Sequence, residues 1–159
     1  MEPLNLFWVV LLTFLPTLEL RASIPYALLI LEMNPLIAFL IIILANIVLG
    51  EIIFYSLHTI LPHVLRIELL ERIYNKCIKR IQKKIHKNVD KYGTMGLALF
   101  IGVPLPGSGV WTGALAAFLL GFERKEFSKA NIIGVLIAGV VVTFVVVAGI
   151  NGFSLFVKS

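Results

Sequence analysis

Glu19 and Arg21 stand two residues apart in PTLELRASIP, residues 16–25, with apolar sequence on both sides. An ionised side chain in hydrocarbon costs a few kcal/mol or more, so each must face a protein interior or a wet cavity and find a partner. Two chemistries suit this pair: Arg21 holding an anionic group, or Glu19 taking up and releasing protons. The bland alternative is that the two charges pair with each other and pin a turn. A second segment, VPLPGSGVWTG at residues 103–113, is a Pro/Gly-rich breaker between two apolar runs. A broken backbone in a membrane is tolerated only where protein or a water-filled cavity satisfies the freed amide groups, so the break marks a binding or permeation site. Pro104, Pro106, Gly107, Ser108, Gly109, Trp111 and Thr112 are its candidate site residues, with Trp111 expected to line the cavity.

Ser23, followed by Ile24 and Pro25, has the pattern of a helix start, because serine caps exposed amides and proline is tolerated in the first turn. Ser108 is placed to do the same for a helix beginning at Gly109. Two helix N-termini would then converge, and their partial positive charge, reinforced by Arg21, would favour an anionic ligand.

The elements that must position these residues follow from run lengths. With 59% hydrophobic and 14% charged residues, the chain is far more apolar and less charged than a soluble domain. Leu36–Leu57 and Ala130–Ile150 are long enough to cross a hydrocarbon core that needs about 20 helical residues. Leu4–Leu15 and Thr94–Val103 are not, since they rise only about 1.5 Å per residue. Each short run meets a breaker and is followed by another short run, Ile24–Leu31 or Gly109–Gly121. Both pairs therefore read as re-entrant helical hairpins. Met1–Leu15 carries no basic residue ahead of its apolar run and is expected to belong to the first hairpin rather than to a cleaved signal.

Arg66–Lys91 holds nine of the fourteen Lys/Arg residues. Its apolar residues Leu70, Ile73, Cys77, Ile81 and Ile85 recur at helical steps, which predicts a basic amphipathic helix lying on the membrane surface or packed on the rest of the protein. The positive-inside rule places this connector and the loop Glu123–Lys129 in the cytoplasm, with both termini outside. The expected fold is thus all-α and polytopic, one membrane domain over residues 1–159: a first hairpin and span (1–58), the basic connector (62–92), and a second hairpin and span (93–153). The second unit is inverted relative to the first, an inverted-topology repeat claimed from architecture alone.

Several polar and small residues remain. Glu51, Tyr55 and His58 fall on one helical face, so Glu51 and His58 are candidates for a proton relay, the alternative being that Glu51 reaches interfacial water. Asn46 and Asn131 are expected to bond between helices. Gly109, Gly113, Ala117 and Gly121 form a small-residue stripe that should receive a neighbouring helix, such as the one carrying Gly134 and Ala138. His58, His63 and His86 lack metal spacing, the lone Cys77 lacks companion ligands, and no nucleophile stands beside a base, so neither a metal nor a cofactor nor an enzyme is expected. The basic patch lacks the aromatic surface of a nucleic-acid binder.

PTLELRASIP and IGVPLPGSGVWTGALAAFLLGF together resemble the small multi-drug export protein family of prokaryotes, distantly DedA-like. Glu19, Leu20, Arg21, Ile24 and Pro25 match its first motif, with Ala22 and Ser23 in place of the usual small pair. Pro104, Pro106, Gly107, Gly109, Trp111, Thr112 and Gly113 match the second, with Ser108 where threonine is common. The resemblance implies a cell-membrane protein that exports small molecules, and through the DedA-like relatives it implies lipid-carrier translocation and proton-dependent transport. The expected function is proton-coupled efflux of a small amphipathic molecule or translocation of an anionic lipid carrier. The expected partners are membrane lipids, protons, the substrate and a second copy of the chain in a homodimer. A noncatalytic membrane scaffold or lipid-binding protein is the competing expectation.

Overall fold

The computed structural model describes residues 3–16, 18–64, 93–105 and 107–157, and the described residues contain helices and no strands. The helices are α1 (Pro3–Phe14), α2 (Glu19–Pro25, continuing as a π-helical turn over Tyr26–Ile30), α3 (Pro35–Val64), α4 (Gly93–Gly102), α5 (Val110–Leu119) and α6 (Arg124–Val157). The connector expected over Arg66–Lys91 lies outside the described residues, as do Cys77, His86 and Pro106.

Pro35–Ile60 of α3 and Arg124–Ile150 of α6, each of mean hydropathy 2.8, are long and apolar enough to cross a membrane, matching the two spans expected. The start of α3 is fixed locally. Asn34 Oδ1 accepts the N–H groups of Leu36 (3.0 Å) and Ile37 (3.4 Å), and Pro35 fills the first helical position, where a missing N–H costs nothing. Leu36, Leu40, Leu44, Val48 and Ile52 lie exposed at four-residue steps along one side of α3. In water that face would be a liability; in lipid it is an ordinary outer surface.

The two long helices run antiparallel. A side chain on Gly139 would meet Phe39 and Ile43, Asn131 stands against Gly50, and Phe127 stacks on Phe54 at 4.3 Å; residue numbers on α6 fall as those on α3 rise. The α3 C-terminus and the α6 N-terminus, with Arg124, Lys125 and Lys129, thus share one end of the bundle.

The short helices form two helix–break–helix units that open toward opposite ends. Asn5 of α1 lines the same groove as Leu31, Met33, Asn34 and Ile37, so the first unit begins and finishes beside the start of α3. In the second unit, the Phe118 ring meets His58 edge-on at 4.7 Å, close to the basic end. α4 lies between α5 and α6. A Cβ on Gly113 would stand 2.8 Å from Ile101 Cδ1, and one on Gly134 would stand 2.6 Å from Ile101 Cβ and 2.7 Å from the Ala98 carbonyl oxygen. Ile101 is therefore gripped by a glycine on each side, level with the middle of the Arg124–Ile150 segment.

The small-residue stripe of α5 does not act as one surface. Gly113 receives Ile101 of α4 rather than α6 directly, Gly109 faces Glu19, and Gly121 ends the helix. With φ +73° at Gly121, its N–H donates to Phe118 C=O (3.1 Å) and the Phe122 N–H to Ala117 C=O (3.0 Å), a paired closure that leaves the last carbonyls satisfied. Glu126 Oε2 then accepts the Glu123 N–H at 3.0 Å and opens α6. Four-residue spacing identifies a face; it does not say that one neighbour covers its whole length.

Overpacking predicts the effect of filling the Ile101 seat. Gly134→Ala should cost about 1–3 kcal/mol, because the Ala98 backbone cannot withdraw. Gly149→Ala, where nothing lies within 4 Å, should be neutral or slightly stabilising. Thermal unfolding of the two variants in the same detergent tests this; equal melting temperatures would refute the packing.

Candidate functional site

The two breaks meet, and the contact is made by side chains of the first and backbone of the second. α5 begins at Gly109, which has φ +123° and no side chain to cap the helix. Its first N–H groups are claimed from elsewhere. Glu19 Oε2 accepts the Val110 N–H and Glu19 Oε1 the Trp111 N–H, each at 3.2 Å and across more than ninety residues of sequence. Glu19 is only 3% exposed. A helix N-terminus favours negative charge, so the carboxylate suits both the hydrogen-bond need and the dipole of α5.

Arg21 serves the opposite half of the same break. Its guanidinium donates to the carbonyl oxygens of Leu105 and Ser108, the latter at 2.7 Å, and to Ser108 Oγ at 3.0 Å. Pro104 and Pro106 supply no backbone N–H, so this stretch is rich in acceptors and short of donors. A guanidinium, with donors only and a fixed fork, fits that deficit. Ser108 Oγ sits at the hub: it accepts from Arg21 and from the Leu105 N–H (3.2 Å), and its own proton serves the Val103 or the Leu105 carbonyl.

Glu19 and Arg21 are thus not each other's partners, contrary to the simplest sequence expectation. They reach separately to the second break, Glu19 for its donors and Arg21 for its acceptors. Glu19 has φ +46°, a conformation that side-chain-bearing residues rarely adopt and that persists where surrounding structure enforces it. Gly109 makes the close approach feasible. A Cβ there would collide with Glu19 Oε2 and stand 2.9 Å from Oε1.

Both serine caps expected from sequence are corrected. α2 begins at Glu19, and Ser23, fully buried inside it, donates from Oγ to the Glu19 carbonyl at 3.0 Å. Four residues back is the usual acceptor for a serine within a helix. Pro25 therefore lies at the α-helical end rather than in a first turn, and the backbone relaxes into the π-helical turn that follows, its Leu31 N–H reaching Tyr26 C=O at 3.2 Å. Ser108 organises the loop and leaves the capping of α5 to Glu19. The helix N-terminus expected to meet an anionic ligand already holds one of the protein's own carboxylates.

The other candidates fall around this junction. Thr112 Oγ1 returns to the Gly109 carbonyl at 3.3 Å, and Pro104 is half-buried. Trp111 is half-buried, with its indole Nε1 enclosed and unpartnered. Beside the junction is an open groove of about 460 Å3 lined by Gly96, Leu99, Phe100, Val103, Leu105, Gly107 and Ser108. Trp111 does not line it. The groove is apolar along α4 and polar where Ser108 and the Leu105 carbonyl meet Arg21.

Glu51 and His58 are not brought together. Glu51 Oε2 pairs with Arg124 at 3.7 Å, while His58 lies between Phe54 and Phe118 with Nδ1 3.0 Å from the Phe54 carbonyl; Tyr55 is exposed. Asn131 does bond between helices, from Nδ2 to the Ile47 carbonyl at 3.0 Å. Asn46, buried completely, has no such bond.

The family described as putative small multi-drug export protein matches residues 19–141, a stretch that opens at Glu19, directly after the first break, and includes the second. No curated protein and no solved structure matches the chain.

Removing the cap measures the junction. Glu19→Ala strands the Val110 and Trp111 N–H groups, at about 1–3 kcal/mol of stability. Gly109→Ala is also destabilising, but in a Glu19→Ala background it should cost about 1 kcal/mol less, since the carboxylate it would strike is gone. A double-mutant cycle on unfolding in detergent reads this coupling; strict additivity would contradict the contact.

Proposed function

The chain belongs to the small multi-drug export protein family, and from that premise we propose that it is a secondary transporter which moves a small amphipathic molecule past the joined breaks. The observation that carries this reading is the junction itself: Glu19 and Arg21 bond to broken backbone in a bundle with two membrane-length helices, and in this reading the junction lies near mid-membrane. Charged groups at that depth are expensive and mark substrate or ion pathways, and broken helices at mid-depth are a recurrent way to build a transport site.

In this reading the two helix–break–helix units are re-entrant hairpins that dip into the bilayer from opposite faces, and with their spans they form an inverted repeat. The basic end, with Arg124, Lys125 and Lys129, faces the cytoplasm, and both termini face outside. The groove beside Ser108 takes the apolar body of the substrate and its polar rim takes the head, a volume within the range of small-molecule sites. A chain with two spans and two hairpins has little width in which to enclose a path, which favours a homodimer as the working unit.

Proton coupling runs through Glu19. A carboxylate can accept from both the Val110 and Trp111 N–H groups; once protonated, it has lost the charge that strengthens both bonds and the attraction to the helix N-terminus. Uptake of a proton therefore loosens α5 from α2, and its release restores the closed junction. Arg21 keeps its carbonyls through the cycle and supplies the pivot.

Reconstituted in vesicles with an imposed proton gradient, the wild-type chain should export amphipathic cations or weak acids from a small panel. Glu19→Gln and Arg21→Ala should each lower the flux at least tenfold while retaining the native gel-filtration profile. Undiminished flux in both folded variants would refute the reading.

A further inference from the structure

The seam between α3 and α6 contains polar atoms that the junction does not use. Asn46 is fully buried, and neither its Nδ2 nor its Oδ1 has a partner. Asn131, also fully buried, spends Nδ2 on the Ile47 carbonyl and leaves Oδ1 bare. Nearer the basic end, Glu51 pairs through Oε2 with the largely exposed Arg124, while its Oε1 is enclosed and unpartnered.

These atoms belong to one stretch of the seam. The Asn131 amide lies over the turn from Ile47 to Gly50: a Cβ on Gly50 would stand 2.7 Å from Asn131 Cγ and Oδ1. Asn46 is one turn before Gly50 on the same side of α3, and Glu51 is one turn after Ile47. Glycine at position 50 leaves the room that this amide occupies. From Asn46 to Glu51 the helix rises about 7.5 Å, a span that two or three hydrogen-bonded water molecules cover.

The donor and acceptor inventory chooses the ligand. The unpartnered set holds one NH2 group, two amide oxygens and one carboxylate oxygen. A metal cation would satisfy the oxygens and leave the Asn46 NH2 stranded in an apolar interior. Water both donates and accepts, and buried water ordinarily makes about three bonds to polar groups that the protein leaves unsatisfied.

We propose that the α3–α6 seam holds a short file of bound water running from Glu51 at the solvent-facing end, past Asn131, to Asn46 near mid-span. The file is a second polar site, separate from the Glu19–Arg21 junction, and it wets the interior from the basic end of the bundle. It does not rest on the transport reading, because its polar atoms need partners whatever the protein moves.

The test is a high-resolution structure of the full chain in lipid nanodiscs, with radiolytic hydroxyl-radical labelling in the same preparation. Ordered density within hydrogen-bonding distance of Asn46 and Asn131 is expected, with labelling of Ile47 and Glu51 that falls at least threefold in Asn46→Leu/Asn131→Leu. Three results would overturn the proposal: a dry seam, the two amides bonded directly to each other, or an anomalous peak at the site after soaking with thallium(I), which would assign it to a cation. The wild-type structure and labelling decide the matter even if the double variant does not fold.

Discussion

The constraint on which this structure depends is the break in helical hydrogen bonding between α4 and α5. An unsatisfied amide group in an apolar medium costs several kcal/mol, so the break survives only because Glu19 and Arg21 answer it. They do so by division of labour. The carboxylate takes the free N–H groups at the start of α5, and the guanidinium takes the carbonyls of Leu105 and Ser108. Charge-assisted bonds of this kind are stronger than neutral ones, and each charge gains the partner it needs to be buried at all.

The dependence is one-sided. Backbone groups around the first break bond largely among themselves, as when Leu15 and Leu18 donate to carbonyls three residues earlier. The first unit therefore brings side chains to the junction and the second brings backbone. Gly109 leaves space for the carboxylate, and Gly113 and Gly134 clamp Ile101 so that α4 delivers the break to the right level. The antiparallel pair of long helices fixes that level for both units.

Much of the architecture was legible in the sequence because bilayer thickness is a ruler. Runs near 20 apolar residues and runs half as long separate without reference to any contact, and the Pro/Gly breaker between α4 and α5 announces itself. The importance of Glu19 and Arg21 was equally plain, because two charges in apolar sequence demand an explanation. Their partners were not plain. The nearest candidate on the chain was the other charge, whereas the true partners lie more than eighty residues away, and sequence separation carries no signal of that. Local cap rules misplaced Ser23 and Ser108 for the same reason: they consider only side chains next to the helix, and the cap of α5 comes from another helix. The left-handed backbone of Glu19 was invisible because it is enforced from outside. Asn131 was read correctly as interhelical, yet nothing in composition marks Asn46 as lacking a protein partner.

In the proposed transporter both breaks dip inward from opposite faces and return. Single cysteines at positions 5, 92 and 126, introduced into Cys77→Ser, can be probed in sealed vesicles of known orientation with a membrane-impermeant thiol reagent. With both units re-entrant, positions 92 and 126 should label from one compartment and position 5 from the other. Labelling of positions 92 and 126 from opposite compartments would mean that the segment between them crosses the membrane outright, and would contradict that arrangement.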